Sequence, residues 1–205
     1  MVRDAYPLIL IFGPLAIVTF IWGWWVAGSL FLLLTLFVAY FFRDPQRQIP
    51  PEKGIIVSPA DGKVVRIAQL DPSDQNSPTL VSIFLSPLDV HINRAPIGGQ
   101  IADVSYTRGK FKPATQHESS LVNEQNVITI KNDRITVIFK QIAGILARRI
   151  VFWKRMGDRV AIGERVGLIK FGSRTDIIIP PEATLTISVG ERVRGGVSII
   201  GRYEP

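Results

Sequence analysis

The chain has no cysteine among its 205 residues. That excludes disulfides, thiol catalysis and metal sites built on thiolates, and it assigns no compartment. Histidine is nearly as scarce: His91 and His117 are the whole supply of side chains that ordinarily exchange a proton near neutral pH. Neither lies at close spacing to a second imidazole or to a carboxylate triad, so no metal site is expected. Charge is absent from residues 6–42, and Arg3 and Asp4 before them cancel. The formal net charge of +7 therefore belongs to residues 43–205. A basic surface admits nucleic acid, anionic lipid or no partner. There is no RNA-binding signature and no interleaving of aromatic with basic residues, so nucleic acid is not expected. Next to an apolar run, anionic lipid headgroups are the economical choice.

The uncharged run is too long for a buried helix of a small domain. As one continuous helix it would extend roughly 55 Å at ~1.5 Å per residue. A bilayer core is about 30 Å thick. The run is thus long for one upright span and short for two. Gly13-Pro14 and the stretch Trp22–Ser29 are where it could bend, and Trp22, Trp24 and Trp25 favour a membrane interface. The pattern predicts two short helices, about 7–22 and 27–42, as a hairpin or re-entrant wedge; a single tilted span is the alternative. A cleaved signal peptide fits poorly, because only Arg3 marks an n-region and no A-x-A-like site precedes Phe41-Phe42-Arg43. Arg43, Arg47 and Lys53 follow the run directly, which favours the cytoplasmic face of the cell membrane for what comes next.

Residues 43–54, with Pro45, Pro50 and Pro51, read as a linker out of the anchor 1–42. From residue 55 to 205 the texture is β. Strand-like runs are Ile55–Val57, Gly62–Ile67, Leu80–Leu85, Val127–Ile130, Ile135–Phe139, Ile177–Ile179, Leu185–Val189 and Val197–Ile200. Turn signals such as Asp71-Pro72, Lys131-Asn132-Asp133 and Gly195-Gly196 separate them. The fold class is therefore mainly β: an N-terminal hydrophobic helical hairpin, then a β-sandwich or barrel-like domain. Ser58–Val64 and Met156–Gly167 share a glycine-valine style seen in lipoyl-type hammerhead folds. The stretch after Gln141, through Ala143–Ile150, reads as a helix or as a strand with an irregular middle.

Few residues can carry chemistry. His91 follows an apolar strand within Leu85-Ser86-Pro87-Leu88-Asp89-Val90-His91-Ile92-Asn93-Arg94, a strand-end position where functional side chains often sit. Taken alone it is as easily a loop histidine bonded to water. His117 lies in a polar stretch that reads as a loop. Asp61, in Ser58-Pro59-Ala60-Asp61-Gly62, is by itself a turn aspartate; as a functional group it would orient an imidazole. Ser173 follows Gly172, and alone the pair marks only a strand-end turn.

The order of these pieces resembles the phosphatidylserine decarboxylase family, especially its short prokaryotic branch. The anchor, Phe41-Phe42-Arg43-Asp44-Pro45, Ser58–Gly62, Leu85–His91, Asn123-Glu124-Gln125-Asn126 and Phe171-Gly172-Ser173-Arg174 carry the resemblance over nearly the whole chain. It implies a proenzyme that cuts itself between Gly172 and Ser173, giving a β chain of residues 1–172 and an α chain of 173–205. The Ser173 hydroxyl would attack the Gly172 carbonyl, β-elimination would follow, and residue 173 would become a pyruvoyl group, the cofactor. That ketone would form a Schiff base with the serine headgroup of a phospholipid and accept the electrons released with carbon dioxide. His91 is implied as a base and Asp61 as the group that holds its tautomer. Longer bacterial members carry a second histidine three positions on, usually taken as the base for self-cleavage; Arg94 stands there in this chain. His91 then serves both tasks, or another base is recruited. Arg94 and His117 are candidate substrate-binding residues, Arg94 through the phosphate or carboxylate.

The implied partners are the phospholipid, the membrane and the two chains of one precursor; a second copy of the chain is a further candidate. The branch includes enzymes thought to act on ether-lipid analogues, and the headgroup chemistry does not separate the two substrates. Two other readings stay open: a membrane-anchored β module that binds or carries without catalysis, and a family member that no longer processes itself.

Overall fold

The computed structural model describes residues 1–74, 76–110, 122–144, 149–170 and 173–205. They form two compact units, Met1–Gln46 and Arg47–Pro205.

In the first unit a 3-10 turn, Arg3–Ala5, leads into α1 (Tyr6–Ile21), and α2 (Trp25–Phe41) follows. Gly13-Pro14 does not bend the chain visibly into two helices; Pro14 lies inside α1. The reversal falls at residues 22–24, where Gly23 takes φ +76° and the Trp24 N–H donates to the Thr19 carbonyl at 2.8 Å. Small side chains let the helices meet closely: a Cβ on Gly28 would lie 2.7 Å from the Phe20 ring. Phe12 stacks on Phe31 with centroids 6.4 Å apart. Leu10, Ile21 and Val26 are 71%, 75% and 88% exposed, an arrangement suited to hydrocarbon rather than water. Among the described residues, the segment Arg3–Ile21 is long and apolar enough to cross a bilayer by length and composition, while Trp25–Phe41 is shorter. This points to association with a membrane.

The second unit is built of antiparallel strands. The largest sheet runs in the order β13 (Arg192–Val193), β2 (Gly62–Gln69), β3 (Thr79–Leu85), β11 (Ser173–Ile179), β7 (Thr136–Ala143), β6 (Gln125–Lys131), β5 (Gly99–Thr107) and β9 (Arg159–Val160). One three-stranded sheet holds β4 (Ile92–Arg94), β10 (Arg165–Ile169) and β8 (Ile150–Phe152); another holds β1 (Ile55–Val57), β14 (Ile199–Tyr203) and β12 (Ala183–Leu185). All three contribute to one core, in which Ile56, Ile83, Phe139, Val166, Ile177 and Ile200 are buried. Alternation explains the strands: in β6 the buried residues are Asn126, Ile128 and Ile130, with half-buried neighbours between them.

The chain is mainly β after a helical pair, as its sequence predicts. Locally, one open alternative is resolved in its described part, one expected strand is shortened, and one strand was not foreseen. The stretch after Gln141 is strand up to Ala143 and strand again from Ile150, because Gln141, Ile142 and Ala143 pair with Thr175, Arg174 and Ser173; residues 145–148 lie outside the described set. The run Leu185–Val189 is strand only at Leu185, where β12 ends. β5 has little apolar signal because most of its side chains face solvent.

Gly62 opens β2 at φ +155°, and a Cβ there would sit 2.2 Å from the Phe84 carbonyl oxygen. A backbone oxygen within a ladder cannot move aside. We predict that Gly62→Ala destabilises the protein by roughly 2–4 kcal/mol. Denaturant unfolding of the two proteins tests this, and equal midpoints would refute it.

Candidate active site

Ser173 is the first residue of β11, and β11 is paired along both edges. Ser173 stands opposite Leu85 of β3 and Ala143 of β7. The pleat sends Ser173, Thr175, Ile177 and Ile179 to the core face and Arg174 and Asp176 to the other. Ser173 is fully buried, and among the described residues its hydroxyl has no hydrogen-bond partner. Leaving a buried hydroxyl unsatisfied costs about 1–3 kcal/mol, so such groups are uncommon and call for a reason. The next residue is fixed firmly. Arg174 Nε meets Asp176 Oδ1 at 2.6 Å, and an Arg174 terminal nitrogen donates to Ser82 Oγ at 2.6 Å. Both charged side chains are almost wholly buried. They lie on one strand, two residues apart, so the pair does not depend on the bond before Ser173.

His91 reaches this region through β3. The loop after Leu85, the residue opposite Ser173, turns on Asp89, whose Oδ2 accepts from the Ser86 N–H at 2.8 Å. His91 itself is 2% exposed. Its Nδ1 lies 2.9 Å from the Asp89 carbonyl oxygen. A carbonyl can only accept, so in the neutral ring Nδ1 carries the hydrogen and the lone pair falls on Nε2. That is the tautomer a base acting through Nε2 requires. The His91 carbonyl accepts from the Ile169 N–H at 3.2 Å, and β4 continues alongside β10 with Ile92 opposite Leu168. β10 belongs to a small sheet and β11 to the large one. β10 ends at Ile169 and β11 begins at Ser173, so the Gly172-Ser173 bond falls between the two strands in sequence. Gly172 itself, like His117, lies outside the described residues.

Asp61 has other immediate partners than an imidazole. Its Oδ2 meets Arg47 at 2.7 Å, and its Oδ1 accepts from the Gly195 N–H at 2.8 Å. Asp61 therefore ties the Ser58–Gly62 turn to residue 47 and to the turn before Val197, while the Asp89 carbonyl faces the ring nitrogen of His91. Sequence reasoning missed Arg47, which it took as part of a linker. Arg94 is 6% exposed and donates to the Gly163 carbonyl at 2.9 Å. The turn it reaches is held by Glu164, which accepts from the Ala161 N–H and pairs with Lys154. The sequence also gave no role to Asn93, Gln141 and Thr175, which hydrogen-bond one another in the core beside β11. Buried polar residues inside apolar strands are the only signal that could have found them. Two open surface clefts lie elsewhere: one is lined by Gln100, Lys131, Asp133 and Arg159, another by Arg134, Glu182 and Arg202.

These features define a class: a membrane-associated β protein with a buried serine heading a central strand, without a hydrogen-bond partner among the described residues, and a buried histidine whose Nδ1 faces a carbonyl. A profile of the phosphatidylserine decarboxylase family matches residues 34–201. The chain is 53% identical over 182 residues to the phosphatidylserine decarboxylase proenzyme of Solibacter usitatus, covering 87% of this chain and 86% of that one. It is 42% identical to the proenzyme of the same name from Carboxydothermus hydrogenoformans, covering 100% and 97%. With that of Chlorobium chlorochromatii it shares 47% identity, covering 87% and 84%. The chain belongs to the phosphatidylserine decarboxylase family.

Two predictions follow from the supports of the site. Removing the Asp61 carboxylate leaves Arg47, whose side chain is only 11% exposed, without its counter-charge. Asp61→Ala should lose roughly 2–3 kcal/mol, somewhat less than for a fully buried pair; a variant as stable as the parent would dismiss the anchoring role. For Glu164, burial works to raise the carboxyl, but the Lys154 and Ala161 N–H hydrogen bonds outweigh it and hold the group below its ordinary value of 4.5. A depressed folded value means that this stabilisation is present above the ordinary value and fades as pH falls through the folded one. The acid-side fall in Tm should therefore be shallower in Glu164→Gln. Superimposable Tm curves from pH 7 down to the acid limb would contradict this.

Proposed function

We propose that this protein is a proenzyme that cleaves itself at Gly172-Ser173 and then decarboxylates phosphatidylserine to phosphatidylethanolamine at the membrane. The single observation that carries the reading is the Ser173 hydroxyl, buried and without a hydrogen-bond partner among the described residues, at the head of a strand held on both sides. A serine placed only for packing would bond a nearby carbonyl; a nucleophile must keep its oxygen available.

The self-cleavage balances with the chain's own groups. Ser173 Oγ gives its proton to a base and bonds to the Gly172 carbonyl carbon. The C–N bond breaks, the amide becomes an ester, and the nitrogen of residue 173 takes up the proton. Loss of the Ser173 α-hydrogen then expels Gly172 as a carboxylate. Water replaces the nitrogen of residue 173, which leaves as ammonia, and a pyruvoyl group remains. His91 is the base favoured by its tautomer, with Nδ1 held by the Asp89 carbonyl and Nε2 free of a proton in the neutral ring. The residues present suit such a group: position 173 is buried, and the Arg174–Asp176 pair fixes the residue that follows it. When formed, the pyruvoyl ketone engages the substrate amine and acts as the electron sink for carbon dioxide loss. The β11 ladder runs over residues 173–179 against β3 and 173–178 against β7, so the new chain end stays in its sheet after the cut. Arg43, Arg47 and Lys53 beyond the apolar helices favour the cytoplasmic face.

The intact mass of protein purified from its own cells tests this. Two fragments, 1–172 and 173–205, are expected, the smaller beginning with a pyruvoyl group. Ser173→Ala should remain one chain and release no carbon dioxide from phosphatidylserine vesicles. His91→Ala should slow cleavage by ~10²- to 10⁴-fold, the usual contribution of a positioned base. An uncut wild-type chain, or lipid turnover by Ser173→Ala, overturns the reading.

A further inference from the structure

Three segments carry the proposed chemistry: the Pro59–Asp61 turn, the His91 loop with β4, and the start of β11. One buried side chain touches all three. Asn93 lies two residues beyond His91 and is completely buried. Its Nδ2 donates to Thr175 Oγ1 at 3.1 Å and to the Pro59 carbonyl at 3.4 Å. Thr175 is two residues beyond Ser173 on the same face of β11; Pro59 is two residues before Asp61. The Asn93 Oδ1 accepts from Gln141 Nε2 at 3.0 Å. Gln141 is also wholly buried, donates to the Val151 carbonyl at 3.4 Å, and accepts at Oε1 from Asn126 Nδ2 at 3.1 Å. Thr175, Gln141 and Asn126 stand directly opposite one another on β11, β7 and β6.

The result is a directed chain of neutral groups, Asn126 to Gln141 to Asn93 to Thr175, each donating to the next. Apolar side chains could fill the same core, but they would not fix one relative placement of loop and strand. A buried polar chain with its groups satisfied does, because any slip leaves donors and acceptors unpaired in a low-dielectric interior. We infer that Asn93 and Gln141 are positioning residues for self-cleavage: their amides lock the segment bearing His91 to the strand bearing Ser173. The inference rests on the reading of Gly172-Ser173 as the cleavage site. Neither residue touches the reacting atoms; each acts by placing groups that do. Misplacement of about 1 Å in a reacting pair can cost about a hundredfold in rate.

The test follows self-cleavage of the freshly synthesised full-length chain in detergent by intact mass, with folding checked by near-UV circular dichroism. Thr175→Val keeps the shape and removes the hydroxyl, so it is the variant least able to disturb folding. Gln141→Leu removes both amide functions at similar volume. Both should cleave about 10- to 100-fold more slowly than the parent while folded. Gln141→Glu supplies a signature that a merely structural role would not give. Among the described residues its hydrogen-bond partners are neutral: Asn93, Asn126 and the Val151 carbonyl. As a carboxylate it cannot donate to Asn93; once protonated it can, while still accepting from Asn126. Its cleavage rate relative to the parent at the same pH should therefore rise as pH falls, and that of Gln141→Leu should not. Folded Thr175→Val and Gln141→Leu proteins that cleave at the parental rate would overturn the inference and leave the proposed function standing. Slow cleavage in both with no recovery of Gln141→Glu at low pH would also overturn it. An uncut parent chain removes the proposed function and this inference together.

Discussion

Strand β11 is hydrogen-bonded along both edges, to β3 on one side and β7 on the other, from its first residue onward. An edge strand can slip or peel; a strand enclosed on both sides cannot move without breaking two ladders. Everything proposed for the site depends on this constraint. It removes the freedom of Ser173 before any chemistry begins, so the hydroxyl has one place to be. The buried Arg174–Asp176 pair strengthens the same constraint from the opposite face of the sheet. Because the pair lies wholly after residue 173, a break in the backbone before that residue leaves it intact.

The second requirement of the proposed chemistry is to bring a base to Ser173. The fold does so through topology. β3 is the neighbour of β11, and the loop leaving its Ser173 end carries Asp89 and His91. The chain then enters β4 and pairs with β10, which ends at Ile169, four residues before Ser173 in sequence. The proposed base and nucleophile thus sit on segments joined through neighbouring strands. Two fixed points, the Asp89 carbonyl at Nδ1 and the Ile169 N–H at the main-chain oxygen, hold the histidine between them.

Electrostatics supports this arrangement from the periphery. Asp61, Arg47 and the Gly195 N–H join three distant parts of the chain at a partly buried ion pair. Arg94 reaches the turn at Gly163, which Glu164 and Lys154 in turn brace. Such pairs add little where water screens them and more where it does not. Their value here is geometric: each ties a loop to a place that the sheets alone would leave undefined. The Ser173 hydroxyl, with no hydrogen-bond partner among the described residues, stands apart from these tied loops.

The sequence by itself determined the broad organisation. An uncharged run with a Trp-Gly-Trp turn specifies a helical pair, because nothing in it could face water along a whole helix. Alternating Ile, Val and Phe segments specify strands, because a period of two buries one face. The ordered motifs around Asp61, His91 and Ser173 specified the family, which the relatives then established. Tertiary structure decided the rest. Which strands are neighbours, and hence that Ser173 stands opposite Leu85 and Ala143, is a matter of non-local pairing that no local pattern encodes. The same holds for the partners of Asp61. Its turn was legible, but its bonds to Arg47 and to Gly195 join residues 14 and 134 positions away. Asn93 and Gln141 were invisible for the same reason: a polar residue in an apolar strand reads as a flaw until its partners, 82 and 48 positions away from Asn93, arrive beside it. Local periodicity fixes which face of an element is buried; only the folded chain fixes what each buried polar atom meets.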